Sequence, residues 1–227
     1  MVAWVRWARY LCLLGLLLLC AGCAEESWDG AMSRQLGRTT PESTHFFRPI
    51  FRELGVAYPP KALAFLIFKS TRQLMVYARD HGTWHRIVVL PVRAMSGVAG
   101  PKKAEGDYQV PEGIYRVISL NPKSHFDLSM QLNYPNAFDR ARALVAGRSS
   151  RHLGGAIFIH GGAQSVGCIA IGDRAIERLF PLVAKVGHKA VTVIIAPRDF
   201  RVQPKRQGDG HEVLYNQIQG ALLAFPT

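Results

Sequence analysis

The stretch from Ala62 to Val92 constrains the fold more tightly than any other part of the chain. Three short apolar runs follow one another: ALAFLIFK (62–69), RQLMVYARD (72–80) and TWHRIVVLPV (83–92). Only a few turn residues separate them, and Asp80-His81-Gly82 lies between the second and third. Runs of this length, rich in β-branched and aromatic residues and joined by turns too short for a helix, predict hairpin strands. More strands are expected at 111–120 after a turn, at GAIFIHG (155–161) and at AVTVIIA (190–196). Strands that succeed one another without long helices between them argue against a doubly wound α/β sheet. They predict a mainly β fold, a mixed or antiparallel β-sandwich with a few short helices.

The pattern divides the chain into four parts. Residues 1–22 read as an export signal, with Arg6 and Arg9 as a positive start and a Leu-rich run from Leu11 to Leu19. That run is shorter than the roughly 20 apolar residues a spanning helix needs. Residues 23–61 read as a tether followed by a short helix. The polar stretch 24–44 is the tether, and the helix at 45–55 places Phe46, Phe47, Ile50, Phe51 and Leu54 on one face. Gly55 is expected to cap it. Residues 62–198 form the folded domain. Within it, 96–107 and 121–155 read as irregular. Asp173 is expected to cap a helix running to about Lys185, with Ile176, Leu179, Phe180 and Val183 inward and Pro181 kinking or shortening it. Residues 199–227 form a tail with an amphipathic helix from His211 to about Phe225.

Cysteine usage narrows the chemistry. The four cysteines are Cys12, Cys20, Cys23 and Cys168. Two fall inside the signal, and LLCAGC resembles a bacterial lipobox, with Cys20 where Leu is usual. That resemblance implies lipidation of Cys23 and attachment to a membrane through the lipid. Ala24, in place of Asp, points to the outer membrane. An ordinary secretory signal is the alternative. Cys168 would then be the one thiol of an exported chain, where a free thiol is exposed to oxidation. Such a residue is easier to understand as a reactive group. The formal net charge of +12 favours acidic ligands, and export makes nucleic acid an unsuitable partner.

His160 and Cys168 are separated by seven residues in IFIHGGAQSVGCIAIGD (157–173). A thiolate is the nucleophilic form of cysteine, and an adjacent imidazole can take its proton. Gly161 and Gly162 allow the strand to turn sharply after the histidine. Gly167 leaves room for an approaching carbonyl, and N–H groups near Gly167 and Cys168 could hold an oxyanion. Ser165 could bond within the loop or orient His160. A zinc site built from His152, His160 and Cys168 is a poorer match to metal-ligand spacing. No metal or cofactor is expected.

These motifs resemble the L,D-transpeptidase catalytic (YkuD-type) family, which pairs His-Gly with a later Ser-x-Gly-Cys, as in His160-Gly161 and Ser165-Val166-Gly167-Cys168. EGDYQVPEGIYRV (105–117) and NPKSHFDLSMQLNYPNAFDRA (121–141) are similar to elements of its YafK-type branch, with Val110 where Thr is usual. The resemblance covers residues 62–198. It implies a YkuD-like β-sandwich and a cysteine acyl-enzyme that acts at diaminopimelate in peptidoglycan stem peptides. Cys168 is the implied nucleophile and His160 the implied general acid and base. Tyr134, Asn136, Asp139 and Arg140 are implied to shape the substrate cleft beside Gly161. Wall-attached lipoprotein or an outer-membrane protein is an implied partner, and the periplasmic cell envelope is the implied location. Many members carry Arg two residues after the cysteine, where this chain has Ala170. That difference leaves three outcomes open: transpeptidation, hydrolysis (an amidase releasing material linked to diaminopimelate), or a non-catalytic wall-binding lipoprotein.

Overall fold

The computed structural model describes residues 26–204 and 210–227. The signal segment and Cys23 lie outside the described residues. The strands are β1 (Ala62–Phe68), β2 (Gln73–Asp80), β3 (Thr83–Pro91), β4 (Ala94–Met95), β5 (Gly113–Ser124), β6 (Asp127–Leu132), β7 (Phe158–His160), β8 (Ile169–Ala170) and β9 (Val191–Ala196). The α-helices are α1 (Trp28–Glu53), α2 (Ala137–Val145), α3 (Asp173–Val186) and α4 (Glu212–Leu222). The strands join in the order β3-β2-β1-β9-β5-β6-β7-β8-β4. Pairing is antiparallel except at β1–β9 and β7–β8, so the sheet is mixed.

β5 serves both halves of this sheet. Gly113–Arg116 pair with β9, and the rest of the strand pairs with β6. The register shifts between Val117 and Ser119, where the strand passes from one partner to the other. Such an irregularity bends a strand and increases its twist. Inner residues of both halves, including Phe65, Val76, Val117, Met130 and Ile159, share one core.

The unbroken apolar run of β1 has a direct cause. Leu63, Phe65 and Ile67 face the shared core, whereas Ala64, Leu66 and Phe68 face a second core under α4. A strand covered on both faces has no polar side to display. The C-terminal helix thus packs on its own domain, through Leu214, Tyr215, Ile218 and Leu222. Arg201 then pins the chain end. Its guanidinium donates to the Pro226 carbonyl at 2.7 Å and to the Tyr77 hydroxyl at 3.0 Å.

Four expectations need correction. The supposed tether is helical from Trp28, so α1 runs for 26 residues and is not short. Small residues had hidden its buried stripe: Ala31, Thr39 and Ser43 lead at helical spacing into Phe47 and Phe51. Thr39 and Ser43 are satisfied by bonds to the Gln35 and Arg178 carbonyls, both 2.7 Å. Pro41 and Pro49 lie inside the helix, and docking against α3 offsets their cost. The stretch 121–155 is not irregular, because it completes β5 and forms β6, α2 and a 3₁₀ turn at Ser150–His152. The N-cap of α3 is Gly172 rather than Asp173. That helix continues through Pro181 to Val186.

The depth of α1 predicts its energetics. Phe47→Ala should lower unfolding stability by about 3–5 kcal/mol in urea denaturation, as for other buried aromatic truncations. Trp28→Ala, at a half-exposed position, should change it by about 0.5 kcal/mol or less.

Candidate active site

His160 ends β7 and is 3% exposed. The Phe126 ring lies over it at 4.6 Å between centroids. Gly161 follows where no other residue fits. A Cβ there would stand 2.5 Å from the Phe126 carbonyl oxygen and 2.6 Å from the Asp173 carboxylate. Gly162 takes φ +68, and its N–H donates to Asp173 Oδ1 at 2.6 Å. Asp173 therefore holds the turn after the histidine rather than capping α3.

This turn sets the histidine's chemistry. His160 Nδ1 lies 2.6 Å from the Gly161 carbonyl oxygen. A carbonyl only accepts, which assigns the proton to Nδ1 and leaves the Nε2 lone pair free. Burial lowers the imidazole pKa below its ordinary value, and the Gly161 bond opposes that shift. The result is a neutral imidazole with Nε2 as its basic atom.

The β7–β8 pairing brings the chain at Cys168 back to the strand of His160. Ile159 pairs with Ile169, and His160 pairs with Ala170. Cys168 immediately precedes β8 and so lies close to the strand that ends in His160. The thiol donates to the Ala156 carbonyl, with 3.7 Å between the heavy atoms. Burial pushes the thiol pKa up, while a backbone hydrogen bond from Phe158 and the charge of Lys102 act against that shift. The resting pair is thus thiol and neutral imidazole, not an ion pair.

The loop between them is closed by its own polar groups. Ser165 Oγ donates to the Cys168 carbonyl at 2.6 Å, which answers whether it bonds within the loop or orients His160. The Gly167 N–H donates to Ser96 Oγ at 2.6 Å and so is committed within the fold, contrary to the oxyanion role expected for it. Glycine at 167 is required by its φ of +87.

Loop 96–112 covers this region and is built on two carboxylates. Asp107 accepts from the backbone of Lys103, Ala104 and Gln109 and from Lys102 Nζ. Glu112 is fully buried. It accepts from the Gly100 N–H at 2.8 Å and the Tyr215 hydroxyl at 3.0 Å, and pairs with Lys69 Nζ at 3.1 Å. Lys102, Tyr108, Gly154, Ala156 and Val166 help line a cavity of about 130 Å³ beside the thiol's acceptor.

The remaining predicted residues lie on an adjoining wall. Tyr134 donates to the Leu153 carbonyl at 3.2 Å and so fixes the segment leading to Gly154 and Ala156. Asn136 caps α2 and forms a reciprocal capping box with Asp139. Asp139 also accepts from the Tyr115 hydroxyl at 3.1 Å. Arg140 is exposed and donates to the Pro135 carbonyl. Their polar atoms hold the wall together. His152 is exposed on the 3₁₀ turn, and no group of three or more His, Cys, Asp or Glu suited to a metal ion occurs among the described residues.

Residues 64–195 match the L,D-transpeptidase catalytic domain family (YkuD). The chain belongs to this family. The YafK protein of Escherichia coli (strain K12) is 32% identical over 136 residues, which cover 58% of this chain and 52% of that protein. The chain thus spans about half the length of the curated relatives it matches. Among solved structures, the helical cell shape determining protein Pgp2 from Campylobacter jejuni aligns with a TM-score of 0.48 and 26% identity, over 60% of this chain and 48% of that one. L,D-transpeptidase 1 of Mycobacterium tuberculosis aligns with a TM-score of 0.35 and 10% identity, over 60% and 62% of the two chains.

As an L,D-transpeptidase family member, the chain carries Ala170 fully buried, paired with Ala94 on one side and His160 on the other. Reasoning from sequence missed Lys102, Phe126 and Ser96. The Lys-Lys before Glu-Gly-Asp could have drawn attention to Lys102, whereas nothing in the sequence marks Phe126 as the ring over His160.

The shifted pair has a measurable consequence. Alkylation of Cys168 by iodoacetamide should rise with pH to a midpoint above that of free cysteine, about 8.5. The His160 imidazole, followed by NMR, should stay neutral to a lower pH than free histidine, about 6.5. Gly161→Ala should abolish the ordered turn, seen as loss of the protected His160 Nδ1–H signal.

Proposed function

We propose that the protein is a peptidoglycan-modifying acyltransferase in which Cys168 is the nucleophile and His160 its base. The observation that supports this reading is the bond from His160 Nδ1 to the Gly161 carbonyl, because it leaves Nε2 unprotonated on a strand whose partner, β8, directly follows Cys168. Cys168 Sγ attacks the peptide carbonyl at diaminopimelate in a stem peptide as its proton passes to His160 Nε2. The tetrahedral adduct collapses to a thioester when the leaving amine takes that proton. An incoming amine then attacks the thioester, regenerating the thiol and forming a new amide. Gly161, Ser165 and Gly167 hold the loop that sets the two side chains. Tyr134, Asn136, Asp139 and Arg140 support the wall against which the stem rests.

Hydrolysis is the second reading, with water as the acceptor. Ala170, where many members carry Arg two residues after the cysteine, is the feature that keeps this reading open. We further propose that Cys23 is lipidated and holds the enzyme in the envelope, at the periplasmic face of the outer membrane. Wall-attached lipoprotein would there be within reach as substrate.

The test is incubation of the purified chain with sacculi bearing covalently attached lipoprotein, beside Cys168→Ala, with products read by mass spectrometry. Wild type alone should yield new diaminopimelate links, exchanged terminal amino acids or released protein. Links or exchange identify transpeptidation, and release alone identifies hydrolysis. Identical products from both proteins would leave a non-catalytic wall-binding protein. Separately, Cys23→Ser should move the protein from the membrane fraction to the soluble fraction.

A further inference from the structure

Three carboxylates lie around the turn that follows His160, and Arg38 is the cation set between two of them. Asp173 accepts from the Gly162 N–H, and Glu177 lies one turn further along α3. Asp127 stands directly after Phe126 and takes φ +67, an uncommon conformation that Asp tolerates better than most residues. Its Oδ2 is buried and has no hydrogen-bond partner among the described residues. Burial raises its pKa, Glu177 and Asp173 push the same way, and the Arg38 charge opposes them. Arg38 comes from α1, outside the stretch that matches the family. Its guanidinium donates to Asp127 Oδ1 at 2.8 Å and to Glu177 Oε1. Among the described residues, no other ion pair reaches either carboxylate.

The same helix holds the other side of the β5–β6 turn. Arg38 Nε donates to Gln35 Oε1 at 3.0 Å, and the Gln35 amide donates to the Pro122 carbonyl at 3.4 Å. Ser124 pairs with Asp127 across the turn, and its hydroxyl oxygen accepts from the Phe126 N–H. The turn is thus fastened to α1 on both strands. It supplies much of the histidine's surroundings. The Phe126 ring lies 4.6 Å from the imidazole between centroids and is tilted by 37° to it. The Phe126 carbonyl crowds Gly161, and the Gly161 N–H donates to the Leu128 carbonyl at 3.2 Å. Phe126 is 45% exposed, so its ring is placed mainly by the backbone it stands on, next to Asp127.

We propose that Arg38 is a positioning residue for His160: through Asp127 it fixes the Phe126 turn, and the turn fixes the imidazole. This role rests on the reading of His160 as the base for Cys168. An ion pair with a half-exposed arginine adds little to global stability. Its effect is directional instead. Without the guanidinium, Asp127 and Glu177 are left as like charges with no cation between them, and the turn shifts to separate them. Displacing a reacting group by about 1 Å can cost on the order of 100-fold in rate. Helix α1 therefore takes part in catalysis although it contributes no reacting atom.

The experiment compares the full chain with Arg38→Gln, Arg38→Lys and Asp127→Asn. Arg34→Gln is the control on the same helix, since Arg34 pairs with Glu26 at the exposed start of α1. Three quantities are read: the unfolding midpoint in urea, the His160 ring-proton NMR signals, and the rate of Cys168-dependent product at varied sacculus concentration. Arg38→Gln and Asp127→Asn should keep the midpoint near wild type and shift the His160 ring signals as the Phe126 ring current is lost. Both should lower kcat about tenfold while KM changes less than about twofold. Arg38→Lys keeps the charge without the planar fork and should restore part of kcat. Arg34→Gln should match wild type in all three. Unmoved ring signals or an unchanged kcat in Arg38→Gln, the same losses in Arg34→Gln, or a loss of kcat that comes only with unfolding would overturn the proposal. Moved ring signals in a protein whose products do not depend on Cys168 would sink the catalytic reading and leave the placement of His160 by Arg38 standing.

Discussion

The buried carboxylate of Glu112 is the constraint on which the working end of the molecule depends. It sits in no solvent, yet it ties three separate parts of the chain: Lys69 at the end of β1, the Gly100 backbone in the loop, and Tyr215 on α4. Burial lowers the Lys69 pKa, whereas the Glu112 charge raises it and keeps the ammonium in place. Lys69 also donates to the Val110 carbonyl at 2.6 Å and the Gly100 carbonyl at 2.9 Å, so the pair staples both ends of the covering loop. Breaking one partner of such a buried pair leaves an uncompensated charge, which typically costs about 3–5 kcal/mol. The loop over the thiol is therefore as firmly set as a strand, although it contains almost no regular structure.

The same economy governs the histidine. Its tautomer is set by the carbonyl of the next residue rather than by a carboxylate partner. This works because Gly161 cannot be replaced: the Phe126 carbonyl and Asp173 crowd the place where a side chain would begin. A neutral base and a neutral thiol suit a reaction in which the proton moves as the sulfur attacks. The resting site is then a weaker target for oxidants than a standing thiolate.

Much of the fold was legible because its signals are local. The runs of β1, β2 and β3 and the glycine-rich turn after His160 announce themselves by composition. What stayed hidden depends on partners distant in sequence. Ala31, Thr39 and Ser43 read as a polar tether because their burial comes from α3, whereas Asp127 to Leu132 read as irregular although its alternation and its hairpin with β5 are local. His160 and Cys168 could be singled out from spacing, and the β7–β8 pairing brings their stretches of chain together. Lys102 could not be weighed, since its burial follows from Asp107 and the loop scaffold. Gly167 shows the opposite limit, where a plausible oxyanion donor proved to be occupied by Ser96.

Helix α1 lies wholly outside the stretch that matches the family, yet it shares that stretch's interior. Phe47 and Phe51 are fully buried in the common core, and Arg38 bridges Asp127 beside the Phe126 turn to Glu177 on α3. The boundary of kinship and the boundary of folding therefore do not coincide. A gene fragment trimmed to the matching stretch would encode His160 and Cys168 without the buttress behind them. Exchange of that stretch with a relative's would have to preserve the surface against which Phe47 and Phe51 pack.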